Sequence, residues 1–567
     1  MSTFTGLNTM VRGIFNSQTA LNTTGHNITN ASTPGYSRQS ANSVTTGAEY
    51  RTGLYGALAV GTGVEVQTIT RSRDIFADKQ YRNENSTQEY YEARAKTYDK
   101  LEVVLNDSGD VGLATSIGEF YKALVDLSTE ASTNANRSNV VSKAKSLCDL
   151  MKTDTQEFQQ QINAEYDDLN LQVIHVNQIL EDIVNSNKLI MASEASGATA
   201  NDLRDQRDLL VDELSKYLNI NVTETSLGAY QINSGGTMLI NSVDRLHLEF
   251  SDGIPSAVYG VDYGVLDHTI YIRESNQVFV PQNGLMKAKF DAIEECKSYI
   301  DAMASMANFL LTTFNDQHKA GYDFNGNEGI NFFGETSAEY SYAYDSEKLI
   351  SSVTVNDNGS TTTLTGVAII EACVVNSQMF VSDSYNYVAA ATRYAVLDKN
   401  GQPVFYESED DLEKNKLSWV GGNVAIDTGT VGVADGTNAV YLSELFNLSH
   451  DTIIKDGRSN AVVLMKYDKD YPTKLNAIDG WAFNDFYVTV STDLAIDAEK
   501  MDINVEEHEG LMTQILNWRD SASGVDWNEE LTNMIKFQKA YQSCARCLTA
   551  MDECLDRLVN NTGTVGR

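Results

Sequence analysis

The two ends of the chain each carry a helical seam, a run of residues spaced alternately three and four positions apart. The N-terminal seam consists of Leu7, Met10, Ile14, Ser17, Leu21, Thr24 and Ile28. The C-terminal seam consists of Met534, Phe537, Tyr541, Cys544, Leu548, Met551, Leu555 and Leu558. This spacing is typical of the a and d positions of helices that pack along a narrow stripe. The sequence therefore predicts that the terminal helices pair as a coiled coil and that the seam residues form an assembly interface.

The N-terminal seam is the weaker of the two. It contains the hydroxyl residues Ser17 and Thr24, and Gly13 and Gly25 lower the helix propensity further. We therefore expect the terminal helices to be mobile in a free monomer and ordered only in an assembly, where apolar residues beside the seams offer a second surface. The alternative is an ordinary intramolecular helix pair that closes a single domain.

The composition narrows the possible classes of protein. A chain of 567 residues is expected to hold several domains, and 42% hydrophobic residues are enough for real cores. The formal net charge of −36 argues against nucleic-acid binding, because phosphate recognition needs a concentrated positive surface. There is no apolar run of about 18 residues, so we expect no membrane insertion. The N-terminal residues lack the pattern of a cleavable signal peptide.

The six cysteines do not form the pattern of a disulfide framework, because they are spread widely and five lie in segments with helical periodicity. The Cys544-x-x-Cys547 spacing suggests a redox or metal pair. However, Cys544 lies in the C-terminal seam, and neither a second pair nor a histidine is nearby. We therefore interpret this cysteine as a packing residue.

The periodicity along the chain predicts a mainly α fold with β-rich insertions in an elongated, multidomain protein. Helices are predicted at about 5–30, 73–105, 112–128, 137–194, 201–218, 285–319 and 482–520, with a last helix opened by a capping box of Asp526 and Glu529. Three domains are predicted: a terminal coiled-coil assembly domain (1–40 with 521–567), a helical-bundle body (41–330 with 436–520) and a β-rich inserted outer domain (331–435). The body includes an extended arm (41–71) and a β segment (219–284).

No motif in the chain fits an enzyme, a cofactor site or a metal site. The segment that begins at Asp323 has the start of a calcium loop, but Glu328 and Gly334 stand where the loop requires glycine and glutamate. His508-Glu509 begins like a zinc-protease helix, but Met512 replaces the second histidine. A nucleophile elbow is absent from the sequence. We therefore predict a protein that is not an enzyme and that binds no cofactor or metal.

One stretch is recognisable as a family motif. Residues 21–39 read Leu-Asn-Thr-Thr-Gly-His-Asn-Ile-Thr-Asn-Ala-Ser-Thr-Pro-Gly-Tyr-Ser-Arg-Gln, and they strongly resemble the N-terminal signature of the bacterial flagellar rod, hook and hook-associated proteins. The motif residues are Asn27, Asn30, Pro34, Gly35, Tyr36, Ser37, Arg38 and Gln39. The ending Gly-Tyr-Ser-Arg-Gln is similar to that of the hook-associated protein 1 family, the first hook–filament junction proteins. Further matches to that family lie at 203–215, 314–333, 519–526 and 537–542.

The resemblance implies a structural component of the bacterial flagellum, which is exported by the flagellar type III apparatus and assembled at the hook tip. There a ring of identical subunits would join the hook protein to the second hook-associated junction protein. It also implies a dedicated export chaperone and an extracellular location. A hook or rod subunit is the alternative within the flagellum, although residues 37–39 and the chain length disfavour it. A surface adhesin with coiled-coil ends is the alternative from another class.

Overall fold

The computed structural model describes residues 4–561 with several gaps. The residues outside the description within that range are 54–55, 106–111, 196, 198, 320, 326, 346–349, 358, 382–383, 392–393, 398–402, 407–435 and 447–482. The predicted outer domain (331–435) and the second part of the predicted body (436–520) therefore fall partly outside the described residues, and the division into domains stays a prediction.

Helices make up most of the described chain, as the sequence predicts. They are α1 (Phe4–Asn30), α2 (Ile75–Leu105), α3 (Leu113–Thr129), α4 (Asn134–Glu194), α5 (Asn201–Tyr217), α6 (Leu285–Phe309), α7 (Asn315–Lys319), α8 (Val367–Ala372), α9 (Thr437–Glu444), α10 (Phe483–Ser523) and α11 (Trp527–Asn561). A π-helical turn, Leu310–Phe314, joins α6 to α7 where a continuous helix is predicted.

The strands form small antiparallel sheets. In the arm they are β1 (Gln39–Thr45), β2 (Glu49–Gly53), β3 (Gly56–Val60) and β4 (Val64–Arg71). In the predicted β segment they are β5 (Asn221–Glu224), β6 (Tyr230–Ser234), β7 (Thr237–Asn241), β8 (Asp244–Arg245), β9 (Leu248–Phe250), β10 (Ile254–Pro255), β11 (Leu266–Asp267), β12 (Ile270–Ile272) and β13 (Gln277–Val278). Beyond α7 they are β14 (Glu339–Asp345), β15 (Ile350–Asp357), β16 (Ser360–Leu364), β17 (Tyr394–Leu397) and β18 (Pro403–Tyr406).

The terminal helices pack against each other, which confirms the predicted pairing of the chain ends. Helix α1 ends at Asn30, four residues before Pro34, whose ring disfavours a helical residue at Thr33. The arm then returns along α1, with β1 paired to β4 and β2 paired to β3. Ser43 on β1 donates a hydrogen bond to the side chain of Asn16 on α1 at 2.7 Å. The arm therefore covers one side of the N-terminal helix.

The body is a bundle organised by α4. This helix has 61 residues and is therefore about 90 Å long, and α3, α5 and α6 pack along it. Its predicted apolar stripe is fully buried: Ile162, Leu169, Val173, Val176, Leu180, Ile183 and Ile190. Helices α2 and α10 run antiparallel beside the bundle, because His508 contacts Glu84 and Trp518 contacts Phe76. The result is the elongated helical body that the sequence predicts.

An aromatic cluster closes the far end of the body. It contains Phe120, Phe309, Phe314, Phe332, Phe333, Phe446 and Phe483. These rings come from α3, α6, the π-turn, the segments that follow α7 and α9, and α10, so residues far apart in sequence share one core. His318 lies beside the cluster and is completely buried, which lowers its pKa to about 4 and keeps it neutral.

Asp323 stabilises a tight turn. Its carboxylate accepts hydrogen bonds from the backbone N–H groups of Asn325 and Asn327 at 2.7 and 2.8 Å. Both bonds are to Oδ1, and Asn327 Nδ2 donates to Oδ2 at 3.1 Å, so the carboxylate holds the turn together. Across the described part of the chain, no group of three or more metal-ligating side chains is close enough to hold an ion.

Candidate assembly interface

The terminal helix pair is antiparallel and has a seven-residue register. Gly6 lies opposite Met551, and Gly13 lies opposite Cys544, seven residues on along α1 and seven back along α11. Asn27 contacts Glu530 after two further repeats. A Cβ atom added to Gly13 would lie 2.9 Å from Cys544 Sγ, and one added to Gly6 would lie 3.1 Å from Met551 Cε. The helices therefore approach most closely at glycines that stand one residue before the seam positions.

The seam residues are only partly covered in the single chain. Within the N-terminal seam, Ser17 and Thr24 are buried, whereas the apolar members Leu7, Met10, Ile14, Leu21 and Ile28 are half-buried. Within the C-terminal seam, the half-buried residues are Met534, Phe537, Cys544, Leu548, Met551 and Leu555. Tyr541 is 38% exposed, and the side chain of Leu558 lies outside the described part. The pair therefore leaves apolar seam surface that a further partner would cover.

The residues beside the seams are more exposed still. Phe15 on α1 is 63% exposed, and Ile535 and Val559 on α11 are 59% and 74% exposed. Large apolar side chains at such exposure, repeated along both helices, are typical of a protein interaction surface. Their positions agree with the second surface expected from the sequence.

Asn27 of the family motif is a buried hydrogen-bonding centre between the chain ends. Its side-chain amide donates to the carbonyl of Gln39 at 2.8 Å and to Glu530 Oε2 at 3.1 Å. Its side-chain oxygen accepts from the Gln39 N–H at 2.9 Å and from the Tyr36 hydroxyl at 2.8 Å. Burial, together with nearby carboxylates, raises the pKa of Tyr36, so this hydroxyl stays protonated and able to donate. Four hydrogen bonds therefore fix one amide.

Arg38 completes this connection to the C-terminal helix. Its backbone N–H donates to the carbonyl of Ser523 at 2.9 Å. Its guanidinium donates to Glu530 Oε1 at 2.7 Å and to Glu529 Oε1 at 2.5 Å. Because the carboxylate of Glu529 binds Arg38, the predicted capping box is supplied by Asp526 alone, which accepts from the N–H groups at the start of α11. We call the set Asn27, Tyr36, Arg38, Glu529 and Glu530 the terminal clasp.

The other motif residues connect the N-terminal segment to α5. Ser37 donates through its N–H and its hydroxyl to Asp205 at 2.9 and 2.7 Å, and Gln39 donates to Asp202 at 2.7 Å. Pro34 and Gly35 form the turn between α1 and β1. Gly35 has φ +75°, a conformation that favours glycine. Asn30 donates to the carbonyl of His26 at 3.0 Å and so ends α1.

A buried ion cluster, which we call the joint, lies beneath this segment. Its members are Arg71, Arg73, Asp78, Arg82, Asp205, Asp208, Asp212 and Arg519. Arg71 Nη1 lies 2.7 Å from Asp208 Oδ2, and Arg82 Nη2 lies 3.3 Å from Asp208 Oδ1. The arm, α2, α5 and α10 each contribute charges, so the joint connects the terminal unit to the body.

The electrostatics of the joint centre on Asp208. Its side chain is 2% exposed, and burial alone would raise its pKa. The surrounding guanidiniums of Arg73, Arg71 and Arg82 outweigh burial and hold the pKa of Asp208 well below its usual range. Tyr230 also donates to this carboxylate at 2.6 Å. Sequence reasoning missed the joint, although the three-and-four spacing of Asp205, Asp208 and Asp212 was a visible signal.

Replacement of Asn27 by alanine is expected to loosen the chain ends, because it leaves the buried backbone N–H and carbonyl of Gln39 without their partner and removes the bond to Glu530. The expected cost is about 1–3 kcal/mol, seen as faster amide hydrogen exchange in α1 and at the start of α11. Asn22→Ala is the matched control, since Asn22 is exposed on the same helix. Equal exchange rates in the two variants would contradict the role of Asn27.

None of the described helices is long and apolar enough to span a bilayer. The terminal clasp joins the two chain ends, while apolar side chains on α1 and α11 remain exposed. Such an arrangement is suited to joining protein subunits.

Comparison with known proteins finds flagellar relatives over the whole chain. A family model described as the flagellar hook-associated protein FlgK helical domain matches residues 98–333. A second, described as the flagellar basal body rod FlgEFG protein C-terminal, matches residues 519–561. These matches include α5, whose aspartates enter the joint, and all of α11.

Individual relatives align along their full lengths. The chain is 27% identical to flagellar hook-associated protein 1 of Bacillus subtilis, with 100% of both chains covered. It is 25% identical to flagellar hook-associated protein 1 of Salmonella typhimurium, with 98% of this chain and 99% of that protein covered. The solved structure of the flagellar hook junction protein FlgK from Burkholderia pseudomallei has a similar fold, with a TM-score of 0.54 and 16% identity. That match covers 78% of this chain and 100% of the other.

Proposed function

Because this chain belongs to the flagellar hook-associated protein 1 family, we propose that it is exported and assembled at the hook tip, where it forms the hook–filament junction. Proteins of this family are structural, non-enzymatic axial components of the extracellular flagellum. What we propose for this chain is the order in which it assembles and its position along the flagellar axis.

The observation that carries the proposal is the partly covered terminal helix pair. The clasp and the joint fix α1 and α11 to each other and to the body through buried hydrogen bonds and ion pairs. The apolar seam nevertheless stays half-buried, and Phe15, Ile535 and Val559 point away from the chain's own core. A monomeric protein rarely retains such surface without a partner. Neighbouring subunits would cover it.

An axial component assembles with other axial proteins. More specifically, we propose a ring of identical subunits as the first partner, with the seam and motif residues at the subunit interface. The hook protein on one side and the second hook-associated junction protein on the other are the proposed axial neighbours. Before assembly, an export chaperone would cover the C-terminal region while the export apparatus takes up the chain.

The alternative of a hook or rod subunit is less well supported. The C-terminal match to the rod-protein model is confined to residues 519–561. The hook-associated helical-domain model matches 98–333, which makes up most of the body. A surface adhesin, the alternative from another class, has no counterpart among these relatives.

Deletion of the gene tests the proposal directly. Cells without the protein are expected to build hooks but no filaments, and to release filament subunits into the medium. Electron microscopy of the hooks and immunoblots of the medium provide the measurements. Normal filaments combined with reduced attachment to surfaces would instead support the adhesin.

The same strain tests the C-terminal seam. Leu548→Asp places a charge in the packed stripe, where an unpaired carboxylate is strongly disfavoured. We expect this variant to be produced and folded in its body but to restore few or no filaments. Leu171→Asp is the matched control, because Leu171 is 64% exposed on α4 and should restore filaments fully. Filament formation by the Leu548→Asp variant would contradict the seam's role.

A further inference from the structure

Two cysteines meet in the core of the body. Cys148 lies on α4 and Cys373 directly follows α8, 225 residues later. Their sulfur atoms are 3.9 Å apart, and the residues are only 3% and 1% exposed. In contrast, Cys547 and Cys554 are exposed on α11.

Backbone hydrogen bonds on both sides of Cys373 hold it opposite α4. Before it, Val367 donates to the carbonyl of Asp262 at 2.7 Å. After it, Gly334 donates to the carbonyl of Val374 at 2.7 Å, and Asn376 donates to the carbonyl of Phe332 at 2.8 Å. The chain re-enters the body here from the β14–β16 sheet. The two thiols are therefore placed by the fold itself and not by a mobile loop.

We propose that Cys148 and Cys373 are an oxidisable pair that closes into a disulfide when the chain folds in the presence of a small-molecule disulfide. A disulfide would need the sulfurs to approach to about 2 Å, which side-chain rotation and a small shift of the segment after α8 can supply. The bond would tie the end of the β14–β16 region to α4.

The chemistry is thiol–disulfide exchange. A thiolate of the pair attacks one sulfur of the oxidant, forming a mixed disulfide and releasing one oxidant thiolate, which takes up the proton. The second cysteine of the pair, after losing its own proton, then attacks the protein sulfur of the mixed disulfide and releases the other oxidant thiolate. In sum, the two protein thiols are oxidised to one disulfide and the small-molecule disulfide is reduced to two thiols.

The timing follows from the surroundings. The contact with Cys148 and burial raise the pKa of Cys373 well above its usual value, and the nearby Lys152 only partly offsets this. Because the thiolate is the attacking species, the folded core reacts slowly. Oxidation is therefore expected while the chain is folding, before the core closes. Once formed, the buried bond is shielded from reductants.

The test uses the full-length chain refolded from denaturant in a mixture of oxidised and reduced glutathione, with a sample refolded in reductant alone for comparison. Remaining thiols are alkylated and the digest is analysed by mass spectrometry. We expect a cross-linked peptide containing Cys148 and Cys373, and free thiols or glutathione adducts at Cys547 and Cys554. The oxidised sample should melt about 5 °C above the reduced one, because the cross-link restricts the unfolded chain.

Cys148→Ala is the matched variant, in which the cross-linked peptide and the shift in melting temperature should both disappear. If the Cys148→Ala variant folds poorly, the comparison of the oxidised wild-type chain with the reduced wild-type chain still tests the proposal. If the chain regains its native fold in the glutathione mixture and Cys148 and Cys373 are nevertheless both alkylated after denaturation, the proposal is overturned. Cross-linking of Cys148 to any other cysteine would overturn it as well.

Discussion

Replacement of Gly13 by valine should prevent the terminal helices from pairing and abolish assembly. A Cβ atom at this position would lie 2.9 Å from Cys544 Sγ, closer than ordinary van der Waals contact, and the branched side chain adds two more carbons. Overpacking of this kind costs about 1–3 kcal/mol or more. The partly covered seam offers little to offset that loss. We therefore expect rapid amide exchange over 7–28 and over α11, and no filaments in complemented cells.

Gly25→Val is the matched control for this experiment. Gly25 lies on the same helix, and a Cβ atom there would have nothing within 4 Å. Both substitutions therefore change helix propensity in the same way, and only Gly13→Val creates a clash with Cys544. The milder Gly13→Ala change should be rescued by Cys544→Ala, because the Cβ atom of Cys544 is 3.9 Å away and can be tolerated. Normal assembly by Gly13→Val would show that the helices pair in another register.

Replacement of Asp208 by asparagine is expected to cause the largest loss of stability in the body. The change leaves Arg71, Arg73 and Arg82 without their shared carboxylate in a buried site. Removing one partner of a buried ion pair typically costs about 3–5 kcal/mol. Urea unfolding at neutral pH would measure it. Glu213→Gln is the control, since Glu213 lies on the same helix with a side chain that is 42% exposed, and it should change stability by no more than about 0.5 kcal/mol.

The joint also predicts a pH dependence. The pKa of Asp208 is lower in the folded chain than in the unfolded chain, so the unfolded state binds the proton more readily. The stabilisation is therefore complete above the unfolded value of about 4 and is lost as the pH falls below it. The wild-type chain should lose stability on acidification more steeply than Asp208→Asn. Parallel pH profiles for the two proteins would contradict this assignment.

The sequence predicts some of these features and misses others for physical reasons. The bounds of α1 and the buried stripe of α4 were predictable, because Pro34 and the spacing of apolar residues act locally. The closest contact between the terminal helices was not, since Gly13 has no side chain and gives no hydrophobic signal. The spacing of apolar residues identifies the side chains with which a helix packs. It does not identify the glycines at which a neighbouring helix comes close.

The joint escaped prediction because its partners are distant in sequence. Arg71 and Asp205 are separated by 134 residues, and no local pattern relates an arginine at the end of an arm to an aspartate on a later helix. A charge on a helix is most often solvated, so the aspartates of α5 resembled an ordinary surface. Only the fold shows that they are buried. The motif residues Ser37 and Arg38 could be recognised in sequence, but their partners could not.

Arg38 binds Glu530, which is translated 492 residues later. Without Glu530, the Asn27 amide lacks one of its four hydrogen bonds, and the Arg38 guanidinium lacks the carboxylate that binds its Nε. A chain truncated before Glu530 therefore has an N-terminal segment without its C-terminal partners, even where the body has folded. An incomplete chain lacks the acceptors of Arg38, so its N-terminal segment cannot form the terminal clasp.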